Sequence, residues 1–480
     1  MKSLLAAGAL GALTLSAPAL ADGVLQQWQG ASFNDVARLN GYEVIPPDMG
    51  GSVGGGYVTQ LINGAYTVWN TAGGQQTQIS DSSFWLNAGV SPALVGTGLS
   101  DPRIIFDPGT NRWFASEITI GNGFNANNVL LAVSNTSNPL DGFKAVSIAS
   151  SPGEFADFPT LGVNGTSVTI GTNNFSTNLD GVSIFSIPKA DLVSGSPSLA
   201  NMTRFDNLPY TNPGWTPQGV TGPTSASSVL SVDIFGGGDI TLSKINGAGG
   251  PGATLSSPTV ISTGGSGYPS DGRQPAAPGI DPGDNRISSG PVQVGNDIFF
   301  TRSVAGVSGD AVQWGVIDAT TGTIVNQGLI QASNLDYLYP SIAANASGGF
   351  VIAFNGSGPS QNISDYWVSC TVGGGCGAPQ LALAGTVDDY FQDFGYGVNR
   401  WGDYSWATVD PSNPNIFWLF QEYPLTGDQW GTVVTEIGLE AAAVPEAPIW
   451  AMMLLGFAGI GLAGVSGGRK TRSAFRPAGT

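Results

Sequence analysis

Two stretches decide the fold: "FPTLGVNGTSVTIGTNNF" (Phe158–Phe175) and "YPSIAANASGGFVIAFNG" (Tyr339–Gly356). Each runs aromatic, Pro, Ser or Thr, a short apolar strand, Asn, a Gly turn, then alternating apolar residues. A second pair matches the same way. "DPRIIFDPGTNRWFASEI" (Asp101–Ile118) and "DYSWATVDPSNPNIFWLFQEY" (Asp403–Tyr423) each give a strand, an Asp-Pro turn with Asn, and an aromatic-rich strand. Their turns have the chemistry of hairpins with loops longer than two residues. Both pairs are offset by multiples of about 60 residues, the sign of a repeated supersecondary unit. Unit starts fall near residues 57, 101, 157, 217, 286, 339 and 402.

An all-β propeller of seven blades over 57–440 is therefore predicted, with six blades as the alternative count. A β-sandwich remains open as a different use of such strands, and a β-helix needs a shorter repeat. Residues 22–56, containing "PPDMGGSVGGG", read as a leader or linker. The last unit shows three clear strands, so a strand from the N-terminal side is expected to close the ring.

Composition agrees. Gly is abundant (71 of 480 residues) and only 10% of residues are charged. The polar residues are mostly Ser, Thr, Asn and Asp, which suit turns and strand edges better than helix surfaces. Histidine is absent, which excludes Ser-His-Asp and Cys-His catalysis and makes zinc improbable chemistry. The two cysteines, Cys370 and Cys376, frame the Gly-rich turn "CTVGGGC", where an oxidising compartment would close a hairpin disulfide.

The ends read as targeting segments. Residues 1–21 have one Lys, an apolar run and Ala19-Leu20-Ala21, the pattern of a secretory signal peptide. Residues 441–480 hold an apolar stretch over 449–465, followed by a basic tail over 469–476 that includes Arg469 and Lys470. The stretch is at the short limit for a spanning helix, with the tail left on the cytoplasmic side. Without these ends the body has 11 basic against 33 acidic residues, a net charge of −22. No basic patch survives, so nucleic acid is not an expected partner.

Pro445, Glu446 and Pro448, the apolar run "WAMMLLGFAGIGLAG" and the terminal basic cluster together resemble the PEP-CTERM sorting signal. The family's tripeptide is Pro-Glu-Pro, whereas this chain reads Pro-Glu-Ala-Pro. The resemblance implies export by the Sec machinery of a Gram-negative bacterium. It also implies a precursor tethered transiently in the inner membrane, recognition by an exosortase, and a final place at the cell surface or in a biofilm exopolysaccharide matrix. The body looks similar to sialidases and other glycan-active propellers, although the aspartate box Ser-x-Asp-x-Gly-x-Thr-Trp is absent. "YPSIAAN" and "RWGDYSWATVDP" resemble motifs of exported bacterial propellers of undetermined activity.

In such a ring the residues just before each innermost strand gather at one mouth of the channel. They are Asp101 and Arg103, Asp157, Gln218, Arg286, Tyr339, and Arg400, Trp401, Asp403 and Tyr404. Arg103, Arg286 and Arg400 could fork a carboxylate. Gln218, Trp401 and Tyr339 would contact a sugar, and Asp403, Tyr404, Asp157 or Asp101 could supply acid, base or nucleophile. The same groups could equally cap turns or tie neighbouring blades as Asp-Arg pairs. Trp113, Phe114, Phe417, Trp418 and Phe420 read as packing between blades. Calcium is conceivable in "DATTGT" (Asp318–Thr323), "DPGDN" (Asp281–Asn285) and "DDYFQD" (Asp388–Asp393), each also readable as an ordinary Asx turn. The sequence thus favours a non-catalytic binding or structural module of the envelope or its polysaccharide matrix, with a glycoside hydrolase or lyase as the alternative.

Overall fold

The computed structural model describes residues 22–440, apart from 122–125, 177–180, 235–236, 248, 265–266 and 390–396, together with Gly479. The signal-peptide and sorting-signal readings, with Pro445, Glu446, Pro448, Arg469 and Lys470, lie outside these residues. Among the described residues no helix is long and apolar enough to cross a membrane.

Seven antiparallel sheets make a seven-bladed β-propeller. The innermost strands are Gly50–Gly54, Leu99–Asp107, Phe155–Asp157 continued by Gly162–Val163, Trp215–Gly219, Val292–Val294, Asp336–Ala344 and Trp406–Asp410. Six blades are continuous in sequence. The seventh takes its outer strand from the start of the described chain, where Gly23–Ser32 pairs antiparallel with Gln429–Gly438. The expected ring closure is thus present, but residues 22–56 are not a linker. They hold this closing strand, a helix (Phe33–Asn40) fixed by a Ser32–Asp35 capping box, and the first inner strand. The first blade accordingly starts near residue 50, and Tyr57 opens its second strand.

Four inner strands begin with the same device. Asp101, Phe158, Thr216 and Tyr339 have φ of 60°, 52°, 52° and 49°, and each precedes a proline. Left-handed backbone at a non-Gly residue costs roughly 1–3 kcal/mol and persists only where surrounding structure fixes it. Here it makes a bulge: the register slips between Ser100 and Arg103, between Trp215 and Gln218, and between Leu338 and Ser341. Proline is tolerated because the inner strand is a sheet edge facing the channel, and its missing N–H breaks no ladder bond. The bulge turns the residue after proline into the channel wall; the residue before it lines the mouth cavity at Phe158 and Tyr339 and is a buried inter-blade contact at Asp101 and Thr216.

Blades pack through both faces of their sheets: along Gly349–Gly358, Phe350, Ile352 and Phe354 enter one apolar cluster and Val351 and Ala353 another. Trp113, Phe114, Phe417, Trp418 and Phe420 are all buried in inter-blade clusters, as the sequence predicted. The closing strand is fixed by Trp28, whose ring lies 5.5 Å from Trp418 in blade seven and 6.3 Å from Trp69 in blade one. Inner strands approach so closely that a Cβ on Gly162 would lie 2.3 Å from the Gly219 carbonyl. Cys370 and Cys376 form the disulfide, across the turn joining Gln361–Thr371 to Gly375–Cys376.

Candidate functional site

At the mouth where the inner strands begin, a cavity of about 300 Å³ opens. Two long inter-blade connections shape it, as expected for loops that carry function on a rigid scaffold. The segment before blade five supplies Asp281, Asp284 and Arg286, and the segment before blade seven supplies Arg400 and Asp403. Blade three contributes Asp157 and Phe158, and blade six Tyr339. Asp281 is set by backbone pairing between the connections, its N–H donating to Asn399 O at 2.8 Å.

The cations are held by carboxylates. Arg286 donates from Nε and Nη2 to the two oxygens of Asp284, at 2.8 and 2.6 Å, and its guanidinium lies 4.9 Å from the centre of the Phe158 ring. Arg400 Nη1 sits 2.6 Å from Asp403 Oδ1 and 3.9 Å from Asp281 Oδ2. Tyr339 donates its hydroxyl to Asp281 O at 2.7 Å. Asp157, by contrast, makes no ion pair among the described residues. Beneath, Asp48 Oδ1 accepts from Asp403 N at 2.6 Å, and Asp101 Oδ2 accepts from Phe158 N at 3.0 Å.

This layout separates the carboxyls electrostatically. Burial pushes Asp157 up to about 8, and the nearby charges of Asp101 and Asp403 push the same way against Arg286. Burial also raises Asp48 and Asp101. Burial acts upward on Asp403 too, but the guanidinium of Arg400, helped by Arg286 and Arg103, holds it below the usual carboxylate range. One mouth therefore presents a proton-holding carboxyl beside an ionised one, the division of labour that acid–base chemistry needs.

Of the residues predicted to meet here, Asp157, Arg286, Tyr339, Arg400 and Asp403 line the cavity. Five do not. Trp401 is buried, with Nε1 donating to Asn355 Oδ1 at 3.3 Å, so it offers no face to a sugar. Tyr404 is buried and donates its hydroxyl to Pro102 O at 2.8 Å. Asp101 is occupied as a clasp between blades. Arg103 and Gln218 are fully buried below the cavity. Arg103 stacks 3.7 Å from the Tyr404 ring centre and donates to Ser288 O across the channel, while Gln218 donates to Ile287 O. With Thr160 donating to Pro217 O and Ser405 to Tyr339 O, they make a polar plug that closes the channel under the site.

Sequence reasoning missed Asp48, Phe158 and Ser303; for Asp281 and Asp284 it offered calcium or an ordinary Asx turn, and both are Asx turns, accepting from Gly283 N and Arg286 N. Their carboxylates also engage Arg400 and Arg286, respectively. Asp318 of "DATTGT" caps its own turn, accepting from Thr320 N and Thr321 N. Among the described residues no group of three acidic side chains is arranged to hold a metal.

Fold and cavity together define a seven-bladed propeller with a polar, carboxyl-rich pocket at one mouth of its channel. No family model matches the sequence, and no curated protein matches it. Among solved structures, an α-L-arabinofuranosidase of Fusarium graminearum aligns at TM-score 0.40 and 8% identity, over 82% of this chain and 94% of that one. A Penicillium chrysogenum α-L-arabinanase complexed with arabinobiose aligns at 0.37 and 12%, over 69% and 95%. A protein of unknown function from Dyadobacter fermentans aligns at 0.38 and 8%, over 82% and 94%.

Proposed function

We propose that the pocket hydrolyses a glycosidic bond. Asp157 is the general acid that protonates the leaving oxygen, and Asp403 is the ionised carboxylate that meets the positive charge developing on the sugar or activates its attacker. One observation supports this reading: the cavity is lined by both Asp157, without an ion pair among the described residues and raised to about 8 by burial, and Asp403, held below the usual carboxylate range by Arg400. Arg286 and Tyr339 would bind hydroxyls.

A second reading, a non-catalytic glycan-binding module, draws support from the Arg286–Asp284 and Arg400–Asp403 pairs, which commit two of the carboxylates lining the cavity. Reducing-end release by the purified protein from a panel of neutral and acidic polysaccharides separates the two. Turnover abolished by both Asp157→Asn and Asp403→Asn supports hydrolysis. Retention of a glycan with no turnover, unaffected by Asp157→Asn, establishes the binding module instead.

A further inference from the structure

Below the polar plug the channel opens again, at the far mouth, into a larger cavity of about 460 Å³. All seven blades line it, six through the ends of their inner strands and blade four through Thr221, Gly222 and Pro223 just beyond its own. Its walls are Val53, Ile105, Val163, Val294, Ala343 and Val409. Its floor is Trp406, whose indole reaches across the channel so far that a Cβ on Gly290 of blade five would lie 2.9 Å from it. The Arg103 guanidinium sits 5.5 Å from the centre of that ring, so the indole divides the charged plug from the apolar chamber.

The polar groups on this wall are already matched to each other. Lys189 Nζ bonds Asp107 Oδ2 at 2.8 Å, and Asp107 also accepts from Thr110 and Gly109. Gln293 donates to Gly295 O and accepts from Thr224. The lining is therefore apolar with no net charge, and a charged occupant would lose its hydration without gaining a counter-ion. Its volume is that of a small-molecule site, and a blind, mostly apolar chamber with few polar groups is what such ligands occupy.

We infer that the far mouth is a second binding site, independent of the polar pocket, for a neutral and predominantly apolar small molecule. The probe is the uncharged fluorophore N-phenyl-1-naphthylamine, titrated into the purified full chain. Saturable one-to-one binding is expected, weakened at least tenfold by Ala344→Phe, which fills the chamber, and by Val409→Asp, which charges its wall. Asp403→Asn at the other mouth should leave binding unchanged. Circular dichroism and melting curves establish which variants are folded. Non-saturable binding, or binding equal in wild type and in whichever of the two chamber variants folds, overturns the inference. So does loss of binding in Asp403→Asn.

Discussion

Replacing Asp157 by Asn tests the electrostatics and the proposed chemistry together. Burial and the neighbouring carboxyls move this group from 3.8 to about 8. At pH 6 it is then about 99% protonated, where an ordinary aspartate would be about 1% protonated. Asparagine keeps the shape and the neutrality but cannot give up a proton. Turnover of polysaccharide should fall by about 10² to 10⁴, the usual contribution of a positioned acid. Aryl glycosides with good leaving groups need less protonation and should lose much less.

Stability should move the other way. The folded state holds a proton that the unfolded chain releases near 3.8, so this site's contribution is fully favourable below that value. It is lost progressively as pH rises to about 8. Asp157→Asn removes that loss. Its melting temperature should match wild type at pH 4 and exceed it at pH 9. Initial rates on both substrate types, with melts at the two pH values, are the measurements. Equal losses on both substrates would refute the acid role, and a wild-type deficit that persists unchanged in the variant at pH 9 would refute the buried proton.

Arg400→Ala removes the main cation facing Asp403, whose carboxyl should then titrate higher. The acidic limb of the pH–rate profile should shift upward, and stability at pH 7 should drop by about 1–3 kcal/mol, discounted because both side chains are partly exposed. Cys370→Ser opens a short loop and should cost about 2 kcal/mol, read by urea denaturation with and without reductant. Deleting Gly23–Ser32 strips blade seven of its outer strand and Trp418 and Trp69 of their contact with Trp28, so a soluble, cooperatively melting deletion product would contradict the closure described above.

The propeller was legible because the x-Pro bulge recurs in sequence: proline at an edge strand costs nothing, so "DPR", "FPT", "TPQ" and "YPS" could all persist as markers. Blade one escaped for the opposite reason. Its inner strand, "GGSVG", is thinned to glycine because the Phe420 ring fills the space beside Gly51, and such a strand reads as a linker. Among the mouth residues found in advance, Asp157 and Tyr339 flank or form the bulge itself, and Arg286 was reached through the unit spacing. Asp281 and Asp284 lie on a connection held by tertiary pairing, which leaves no periodic trace. "RWGDY" placed Arg400 and Asp403 but could not tell that Trp401 and Tyr404 face inward.

The pairing of Val24 with Ile437 also orders events in time. The strand made first among the described residues finds its partner only after nearly all the others have been synthesised. Until then it and the neighbouring blade each expose an edge able to pair with a stranger. A chain built this way matures in one late step that spans its whole length, a topology that favours slow folding. Crowded, half-made copies are then most at risk of exchanging this strand between molecules.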